Sequence, residues 1–419
     1  MGHPGRRGRP ERRARWRIGQ SSRRPVRRTG LRPDLKLLHT SDWHVGKTIR
    51  GASRADEHTA VLAEIAQIAA REEVDLVIVA GDLFDSAAPS AEAERIVYRA
   101  LLDLADTGAE VAVIAGNHDN PRRLRAVAPL LRLGQVHVVA EPARPDDGGV
   151  VELRARDGAE VQLAMLPFVS KRGIVRSKHL MARQAFENAQ DYNDRLRLLI
   201  ERLCEPFRSD TVNLFTTHAF VLGGQAGGGE RPAHLVEEYA ITAQSFPVTI
   251  GYGALGHLHR PQRVLAQLHY SGSPLQLDFG EAEQAKQVNV VTLEPGIPAD
   301  VRAMRLTAGR PLRTLTGTLE ELSSASVDDG AWLRVVVQDP GRAGLAQTVR
   351  ELLGPGVVDI RIESPGPPGR KRRLDHRSRS PLEVFDEFLE HETIEDTRVR
   401  DLFAELLDEQ SDVSAGVRS

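Results

Sequence analysis

Residues 37–47, LLHTSDWHVGK, join a short apolar run to two metal-ligand side chains, Asp42 and His44. The same plan recurs in VAGDLFD (79–85) and IAGNHDN (114–120), where polar residues follow an apolar run. Short runs rich in β-branched residues are typical of buried strands. Because ligands of open α/β sheets bind beyond the carboxyl ends of the strands, this plan predicts that distant stretches converge on one edge of a sheet.

The segments between these runs have helical periodicity. Residues 58–71 and 90–106 place apolar side chains on one helical face, and further strands are predicted at 74–80 and 110–115. This alternation predicts a βαβαβ arrangement with right-handed crossovers. The predicted fold class is therefore α/β, a layered domain with helices flanking its sheets.

The second half of the domain completes a set of candidate metal ligands. VNLFTTH (212–218) and YGALGH (252–257) are predicted strands that each end on a histidine. The GHLH sequence places two imidazoles on one side of an extended segment, because side chains alternate along a strand. A mixed carboxylate, imidazole and carboxamide set suits manganese, iron or zinc better than calcium or magnesium. The full set is Asp42, His44, Asp82, Asn117, His218, His257 and His259.

These residue types predict hydrolysis of a phosphoester by two divalent metal ions. Two ions about 3.5–4 Å apart bridge a phosphate and lower the pKa of bound water. Asp82 is the natural bridging carboxylate because it lies in the middle of the set. His118 is the candidate general acid for the leaving oxygen. A carboxylate usually orients such a histidine, and Asp85 is the first candidate, with Asp119 as the alternative.

Composition narrows the class of protein. The chain has 419 residues, 41% hydrophobic, with no apolar run as long as a membrane span. Cys204 is the single cysteine, so no intrachain disulfide forms, as in a reducing compartment. Residues 1–33 hold 12 Arg and one acid, which leaves 44 basic and 57 acidic side chains, a net of −13, in the remainder. We interpret this leader as a disordered segment or a start codon placed too early. An organelle transit peptide is the alternative.

The remaining chain divides into four parts. The catalytic domain is predicted over 34–294 and a small cap domain over 295–366. A linker rich in Pro, Gly and Arg follows at 367–380. Two amphipathic helices are predicted within 381–419, and their apolar stripes suit docking on a partner helix. The proposed anchors are Phe385, Phe388, Leu402, Phe403 and Leu406.

The motifs SDWHVGK, AGDLFD, AGNHD, THAF and GHLHRP resemble those of the calcineurin-like metallophosphoesterases. The block YSGSPLQLDFGE (270–281), after GHLHRPQ, is similar to the SbcD family of bacterial nuclease subunits, which act with the ATPase SbcC. The resemblance covers residues 35 to about 410, and every ligand position matches. The Arg-rich leader has no counterpart. The resemblance implies a β-sandwich flanked by helices, with a small α+β cap domain and a C-terminal helical tail.

The resemblance also implies a function. One manganese would be held by Asp42, His44, Asp82 and His259, and the other by Asp82, Asn117, His218 and His257. The implied activities are 3'-to-5' exonuclease action on double-stranded DNA ends and endonuclease action on hairpins and single strands. Hairpin cleavage would depend on SbcC and ATP, and the tail helices would dock on the coiled-coil base of SbcC. A cytoplasmic, nucleoid-associated heterotetramer containing a homodimer of this chain is implied.

For the homodimer, we predict contacts through residues 90–106 and 121–133. The proposed apolar contacts are Ile96, Val97, Leu101, Leu130 and Leu131. Two other functions stay open at this point. One is hydrolysis of a small phosphoester such as a cyclic nucleotide, and the other is a metal-stabilised scaffold without enzymatic activity.

Overall fold

The computed structural model describes residues 34–170, 192–230, 240–325, 330–342 and 344–363, with 382, 385, 386, 388, 389, 398–400 and 402–404 in the tail. Two six-stranded sheets pack face to face, and helices cover both outer faces. The predicted leader, the predicted linker and much of the predicted tail lie outside the described residues. No helix among the described residues is long and apolar enough to cross a membrane.

The first sheet contains the strands predicted from the opening motifs. Its members are β1 (Leu35–Thr40), β4 (Leu76–Val79), β5 (Glu110–Ile114), β6 (Val136–Val139), β13 (Gln287–Leu293) and β14 (Asp300–Arg305). The strand order is β14-β13-β1-β4-β5-β6, and β1, β4, β5 and β6 are parallel. Strand β13 pairs antiparallel with both β1 and β14.

Three helices cover the outer face of this sheet: α1 (Ala55–Arg71), α2 (Ala91–Asp106) and α3 (Pro121–Leu131). Val77 and Val79 belong to the core on the helical side, whereas Leu76 and Ile78 belong to the core between the sheets. This alternation of side chains along β4 is why one short run of apolar residues is buried on both faces. The predicted βαβαβ order is confirmed.

The second sheet contains the strands of the later motifs. Its members are β7 (Val150–Arg154), β8 (Glu160–Leu166), β9 (Val212–His218), β10 (Tyr252–Gly256), β11 (Gln262–Arg263) and β12 (Leu268–Tyr270). The order is β11-β12-β10-β9-β8-β7, with β8, β9, β10 and β12 parallel. Helix α4 (Tyr192–Cys204) packs on its outer face through Leu196 and Leu199.

The small domain contains a three-stranded parallel sheet. Its strands are β15 (Leu312–Gly317), β16 (Trp332–Val337) and β17 (Val357–Ile362). Helices α5 (Leu319–Ser323) and α6 (Leu345–Leu353) share a separate hydrophobic core with this sheet. Residues 300–305, which were predicted to belong to the cap domain, instead extend the first sheet as β14. A weakly amphipathic edge strand after a turn gives little sequence signal of the domain to which it belongs.

A buried carboxylate on α1 joins the cap domain to the catalytic domain. Glu57 pairs with the guanidinium of Arg54, at 3.0 and 2.7 Å. It also accepts hydrogen bonds from the Trp332 indole and the backbone N–H of Arg310, both at 2.8 Å.

A short hairpin, β2 (Thr48–Ile49) and β3 (Ala52–Ser53), lies just before α1.

The predicted dimer contacts need correction. Four of the five proposed side chains are buried in this chain's own core, namely Ile96, Val97, Leu101 and Leu131. Leu130 alone among the five is exposed, at 70%. Helical periodicity identifies an apolar face, but it does not distinguish the face that packs on the sheet from one that meets a partner.

Candidate metal centre

The predicted ligands lie at the carboxyl ends of strands from both sheets. Asp42 follows β1, Asp82 follows β4 and Asn117 follows β5 in the first sheet. His218 is the last residue of β9, and His257 comes directly after β10 in the second sheet. Each sheet therefore contributes part of one site, where their carboxyl edges meet.

Two groups of these side chains have ligand atoms within 4.8 Å of one another. The first group is Asp42, His44 and His259, and the second is Asp42, Asp82 and His218. All of these side chains are buried. Each is among the ligands predicted from sequence, and clustered carboxylates and imidazoles suit divalent transition metals.

Asp42 belongs to both groups, and Asp82, a member of the second group, also faces His44 of the first. Its Oδ2 is 3.4 Å from Nε2 of His44 and 3.3 Å from Nε2 of His218. Its Oδ1 accepts the backbone N–H of His118 at 2.8 Å. One carboxylate thus faces an imidazole of each group, which is the placement that a bridging ligand requires.

Asn117 joins the two histidines of the second sheet. Its Oδ1 is 2.9 Å from Nε2 of His218 and 3.0 Å from Nδ1 of His257. The His218 ring donates its Nδ1–H to the carbonyl of Ala80 at 2.8 Å, which directs Nε2 into the site. The structure therefore brings all seven predicted ligands together.

His44 provides a test of whether these residues fit a metal. The residue is only 2% exposed, and its Nε2 and Nδ1 lie 3.4 and 3.3 Å from carboxylate oxygens of Asp82 and Asp85 without forming a well-aligned hydrogen bond. Buried polar atoms nearly always form well-aligned hydrogen bonds, so a buried imidazole that faces carboxylates without such a bond is consistent with a metal ligand. A divalent cation between His44 and Asp82 would bind this ring, and the donor set fits it.

The charges of the site favour cations. Burial would raise the pKa of the Asp82 carboxyl, but the His218 and His118 rings outweigh it and hold that pKa well below its usual value. Burial raises the pKa of Asp42. Burial would lower the pKa of His218, but the Asp82 carboxylate raises it to about 9. The proton on His218 must leave when a metal binds there, so metal binding releases protons.

The backbone at the ligands is strained. Asp42, His44, Asp82 and His257 have φ values of 53°, 48°, 53° and 104°. L-amino acids rarely adopt positive φ, and residues that do so cluster at functional sites. The strain is held by backbone hydrogen bonds between the ligand loops, including one from the N–H of His44 to the carbonyl of Asp82 at 3.0 Å.

Two glycines are required by the close approach of the ligand loops. A Cβ on Gly116 would overlap the Asp82 carboxylate, and a Cβ on Gly256 would overlap the carbonyl of Ala80. Each glycine directly precedes a predicted ligand. Steric exclusion of a side chain therefore explains why the GNH and GHLH motifs have glycine at these positions.

His118 lies beside the ligands, with its ring centroid 4.6 Å from that of His44. Its Nδ1 donates to the main-chain carbonyl of Asp85 at 2.8 Å. The predicted partner was the Asp85 carboxylate, which instead lies 3.3 Å from Nδ1 of His44 and 3.2 Å from Nζ of Lys47. That carboxylate is also within 4.8 Å of a His118 ring nitrogen. The type of a side chain does not predict which main-chain carbonyl accepts its hydrogen bond, so this partner could not be identified from sequence.

Asp119, the alternative partner for His118, occupies a structural position. Its carboxylate accepts the backbone N–H groups of Leu83, Phe84 and Gly116 at 3.3, 3.1 and 2.8 Å. It thereby ties the loop that carries Asp82 to the loop that carries Asn117.

Glu281 and Lys286 were not among the site residues predicted from sequence. Oε1 of Glu281 is 2.9 Å from Nδ1 of His259, and Nζ of Lys286 donates to Oε2 of Glu281 at 2.7 Å. Burial would raise the pKa of Glu281, but Lys286 and His259 lower it to about 2. The available signal was the glutamate that ends YSGSPLQLDFGE.

Comparison with known proteins agrees with this geometry. The sequence model of the family described as Calcineurin-like phosphoesterase matches residues 35–231. The model described as Type 5 capsule protein repressor C-terminal domain, SbcD_C, matches residues 308–393. A dimetal phosphatase from Danio rerio shares 13% identity at a TM-score of 0.38, over 65% of this chain and 99% of that protein. At that TM-score the likeness adds nothing to the family assignment.

Similarity to curated proteins extends over nearly the whole chain. The SbcD subunit of the SbcCD nuclease from Bacillus subtilis (strain 168) is 32% identical over 388 residues, which cover 89% of this chain and 97% of that protein. The corresponding SbcD subunit from Escherichia coli (strain K12) is 28% identical over 403 residues, which cover 89% and 98%. The chain therefore belongs to the SbcD family, and it is a phosphodiester hydrolase with the calcineurin-like fold.

Proposed function

We propose that this chain is the nuclease subunit of an SbcCD-type complex and hydrolyses DNA with two divalent metal ions, in the first place manganese. The observation that carries the proposal is the position of Asp82, which faces His44 on one side and His218 on the other. The names of the similar B. subtilis and E. coli proteins support the nuclease activity and the complex.

For the two metal sites, we propose the division of ligands that the family resemblance implies. Asp42, His44 and His259 would hold one ion with Asp82, and Asn117, His218 and His257 would hold the other with Asp82. When bound, two such ions would supply Lewis-acid charge for the phosphate and the leaving oxygen and would lower the pKa of water so that it can act as the nucleophile.

In the proposed reaction, Asp82 is positioned to hold the metal ions and His118 protonates the leaving oxygen. Asp82 is fixed by the backbone N–H of residue 118, so its second oxygen is directed between the two imidazoles. The His118 ring donates its Nδ1–H to the Asp85 carbonyl, so as an imidazolium it would donate its second proton from Nε2. His118 therefore acts as general acid for the leaving oxygen, or as a cation beside it.

The substrate that we propose is DNA, and the site borders the cap domain. The β2–β3 hairpin comes soon after His44, and its Arg50 lies 3.4 Å from Oδ2 of Asp359 in the cap domain. A second domain attached to the segment that follows a metal loop suits a polymer substrate more than a small phosphoester. By family resemblance, we propose 3'-to-5' exonuclease action on duplex ends and endonuclease action on hairpins and single strands. These activities would serve DNA recombination, replication and repair in the cytoplasm, at the nucleoid.

A choice among substrates tests the proposal. With manganese, the purified chain is expected to shorten a labelled duplex and to leave a cyclic nucleotide intact. Hairpin cleavage is expected to need the ATPase partner and ATP. Cleavage products resolved on a gel, beside phosphate release from the nucleotide, give the answer. Faster hydrolysis of the cyclic nucleotide would favour the small-phosphoester alternative.

The tail helices are proposed to bind the SbcC-like ATPase. Phe385 and Phe403 stack on each other with centroids 3.8 Å apart, and Arg400 pairs with Asp386 at 2.7 Å. The predicted anchors Phe385 and Phe403 therefore hold the two helical segments together. Among the described anchors, Phe388 and Leu402 are exposed at 51% and 56% and available to a partner helix, whereas Leu406 lies outside the described residues.

We expect the double variant Phe388→Ser and Leu402→Ser to lose co-purification with the ATPase and ATP-stimulated hairpin cleavage. Burying each side chain is worth roughly 1.5–3 kcal/mol before ordering costs, so removing both weakens binding by orders of magnitude. Manganese-dependent cleavage of duplex ends is expected to persist. Val248→Ser, which changes a side chain that is 94% exposed in the catalytic domain, is the control. Unchanged ATPase binding by the double variant would rule out this docking surface.

A homodimer is proposed through the remaining exposed apolar side chains of the same helical region. Leu130 on α3 and the nearby Leu133 are 70% and 85% exposed, and Leu102 on α2 is 38% exposed. A two-fold pair formed there would present two equivalent sites to DNA.

A further inference from the structure

A buried carboxylate fixes the ring of one metal ligand. Glu281 is fully buried at the end of a short turn, Phe279–Glu281, and its Oε1 lies 2.9 Å from Nδ1 of His259. A carboxylate accepts at this distance, so Nδ1 carries the proton of the imidazole. The unprotonated nitrogen is then Nε2, which is the atom available to a metal.

The carboxylate is itself held at its other oxygen. Oε2 of Glu281 accepts from Nζ of Lys286 at 2.7 Å and from the backbone N–H of Leu277 at 3.0 Å. Lys286 also donates to the carbonyl of His259 at 3.0 Å and to Oγ of Ser273 at 2.9 Å. Glu281 and Lys286 therefore hold both the ring and the main chain of this ligand.

The glycine-rich loop at residues 227–230 packs against the hydrogen bond between His259 and Glu281. Oε1 of Glu230 accepts the backbone N–H groups of His259 at 2.8 Å and Gly227 at 2.6 Å. A Cβ on Gly229 would lie 2.8 Å from Nδ1 of His259 and would overlap Glu281. The loop therefore packs directly on the His259–Glu281 hydrogen bond.

We propose that Glu281 is a positioning residue for His259: it selects the tautomer that presents Nε2 to Asp42 and His44, and so sets the affinity of that one metal site. The inference rests on the proposed pair of metal sites, and it assigns Glu281 no contact with substrate. The second site is oriented by other groups, since Nδ1 of His218 donates to the Ala80 carbonyl. That site should therefore not depend on Glu281.

The test is a manganese titration of the metal-free full-length chain, in which electron paramagnetic resonance measures the concentration of unbound manganese at each step. Wild type is expected to bind two ions. In Glu281→Ala, one dissociation constant should rise by about 10–100-fold, the usual effect of removing a residue that orients a metal ligand, while the other stays within about two-fold. Glu281→Gln keeps the side-chain volume and should show a smaller rise at the same site. It decides the matter if the alanine variant does not fold.

Nuclease rates provide a second readout. In Glu281→Ala, excess manganese should restore kcat to near the wild-type value, because the residue sets affinity and not the chemical step. Glu57→Ala, which removes another buried carboxylate that pairs with a cation but touches no ligand, should leave both dissociation constants unchanged. The proposal is overturned if both sites weaken alike, if neither variant weakens one site selectively, or if Glu57→Ala has the same effect. Fewer than two ions on wild type would instead sink the proposed function itself.

Discussion

Replacing Asp82 with alanine is expected to remove both metal ions and all measurable cleavage of DNA. Oδ2 of Asp82 lies 3.4 Å from His44 and 3.3 Å from His218, so one carboxylate serves both groups of ligands. The side chain is also the negative charge that balances the neighbouring histidines, since their proximity holds its pKa well below the usual value. Metal ions contribute several kcal/mol of charge stabilisation to such reactions, so their loss costs on the order of 10³-fold or more in rate.

Elemental analysis of the purified variant after manganese loading and desalting measures the effect. Wild type should carry two ions per chain, and Asp82→Ala close to none. Asp75→Ala is a matched control, because Asp75 accepts the backbone N–H of Lys36 just before β4, at the opposite end of the strand from Asp82. If Asp82→Ala retained two ions, the bridging assignment would be wrong.

Replacing His118 with alanine is expected to lower kcat on DNA by about 10²–10⁴-fold while both metal ions stay bound. The side chain contributes no ligand in the proposed sites. The backbone N–H that fixes Asp82 at 2.8 Å belongs to residue 118 and survives the substitution. The loss should therefore fall on proton donation alone.

The leaving group distinguishes this role from a structural one. A phosphodiester with a nitrophenol leaving group needs little protonation, so His118→Ala should hydrolyse it at a rate much closer to that of wild type. Manganese content, measured as for the Asp82 variant, should stay at two ions per chain. An equal loss on DNA and on the nitrophenyl ester, or a loss of metal, would contradict general-acid catalysis by His118.

The sequence predicts much of this site because strand ends and ligands coincide. An apolar run that stops at Asp42, Asp82 or His218 specifies both the strand and the position of its last side chain, and parallel strands bring those ends together. Such reasoning predicted that Asp42, Asp82 and Asn117 converge at one edge and that His218 and His257 end two further strands. It also predicted α1 and α2 to within a few residues of their observed starts.

The features that sequence reasoning missed depend on the path of the backbone or on distant packing. His118 is oriented by a carbonyl of Asp85, and a carbonyl is present at every position of a chain. Glu281 reaches His259 only because a turn folds the chain back beneath it. The apolar face of α2 is equally compatible with a sheet or a partner, and here Val97 and Leu101 pack on the sheet.

The pairing of β1 with β13 affects how the chain folds during its synthesis. Leu35 on β1 lies opposite Leu293 on β13, and the second half of the metal site comes from residues 218–259. A nascent chain on the ribosome therefore has an open β1 edge until residue 293 emerges, and such edges are prone to aggregate. The same delay keeps the emerging enzyme inert, because a metal centre built from both sheets is incomplete until its last ligand strand has emerged and folded.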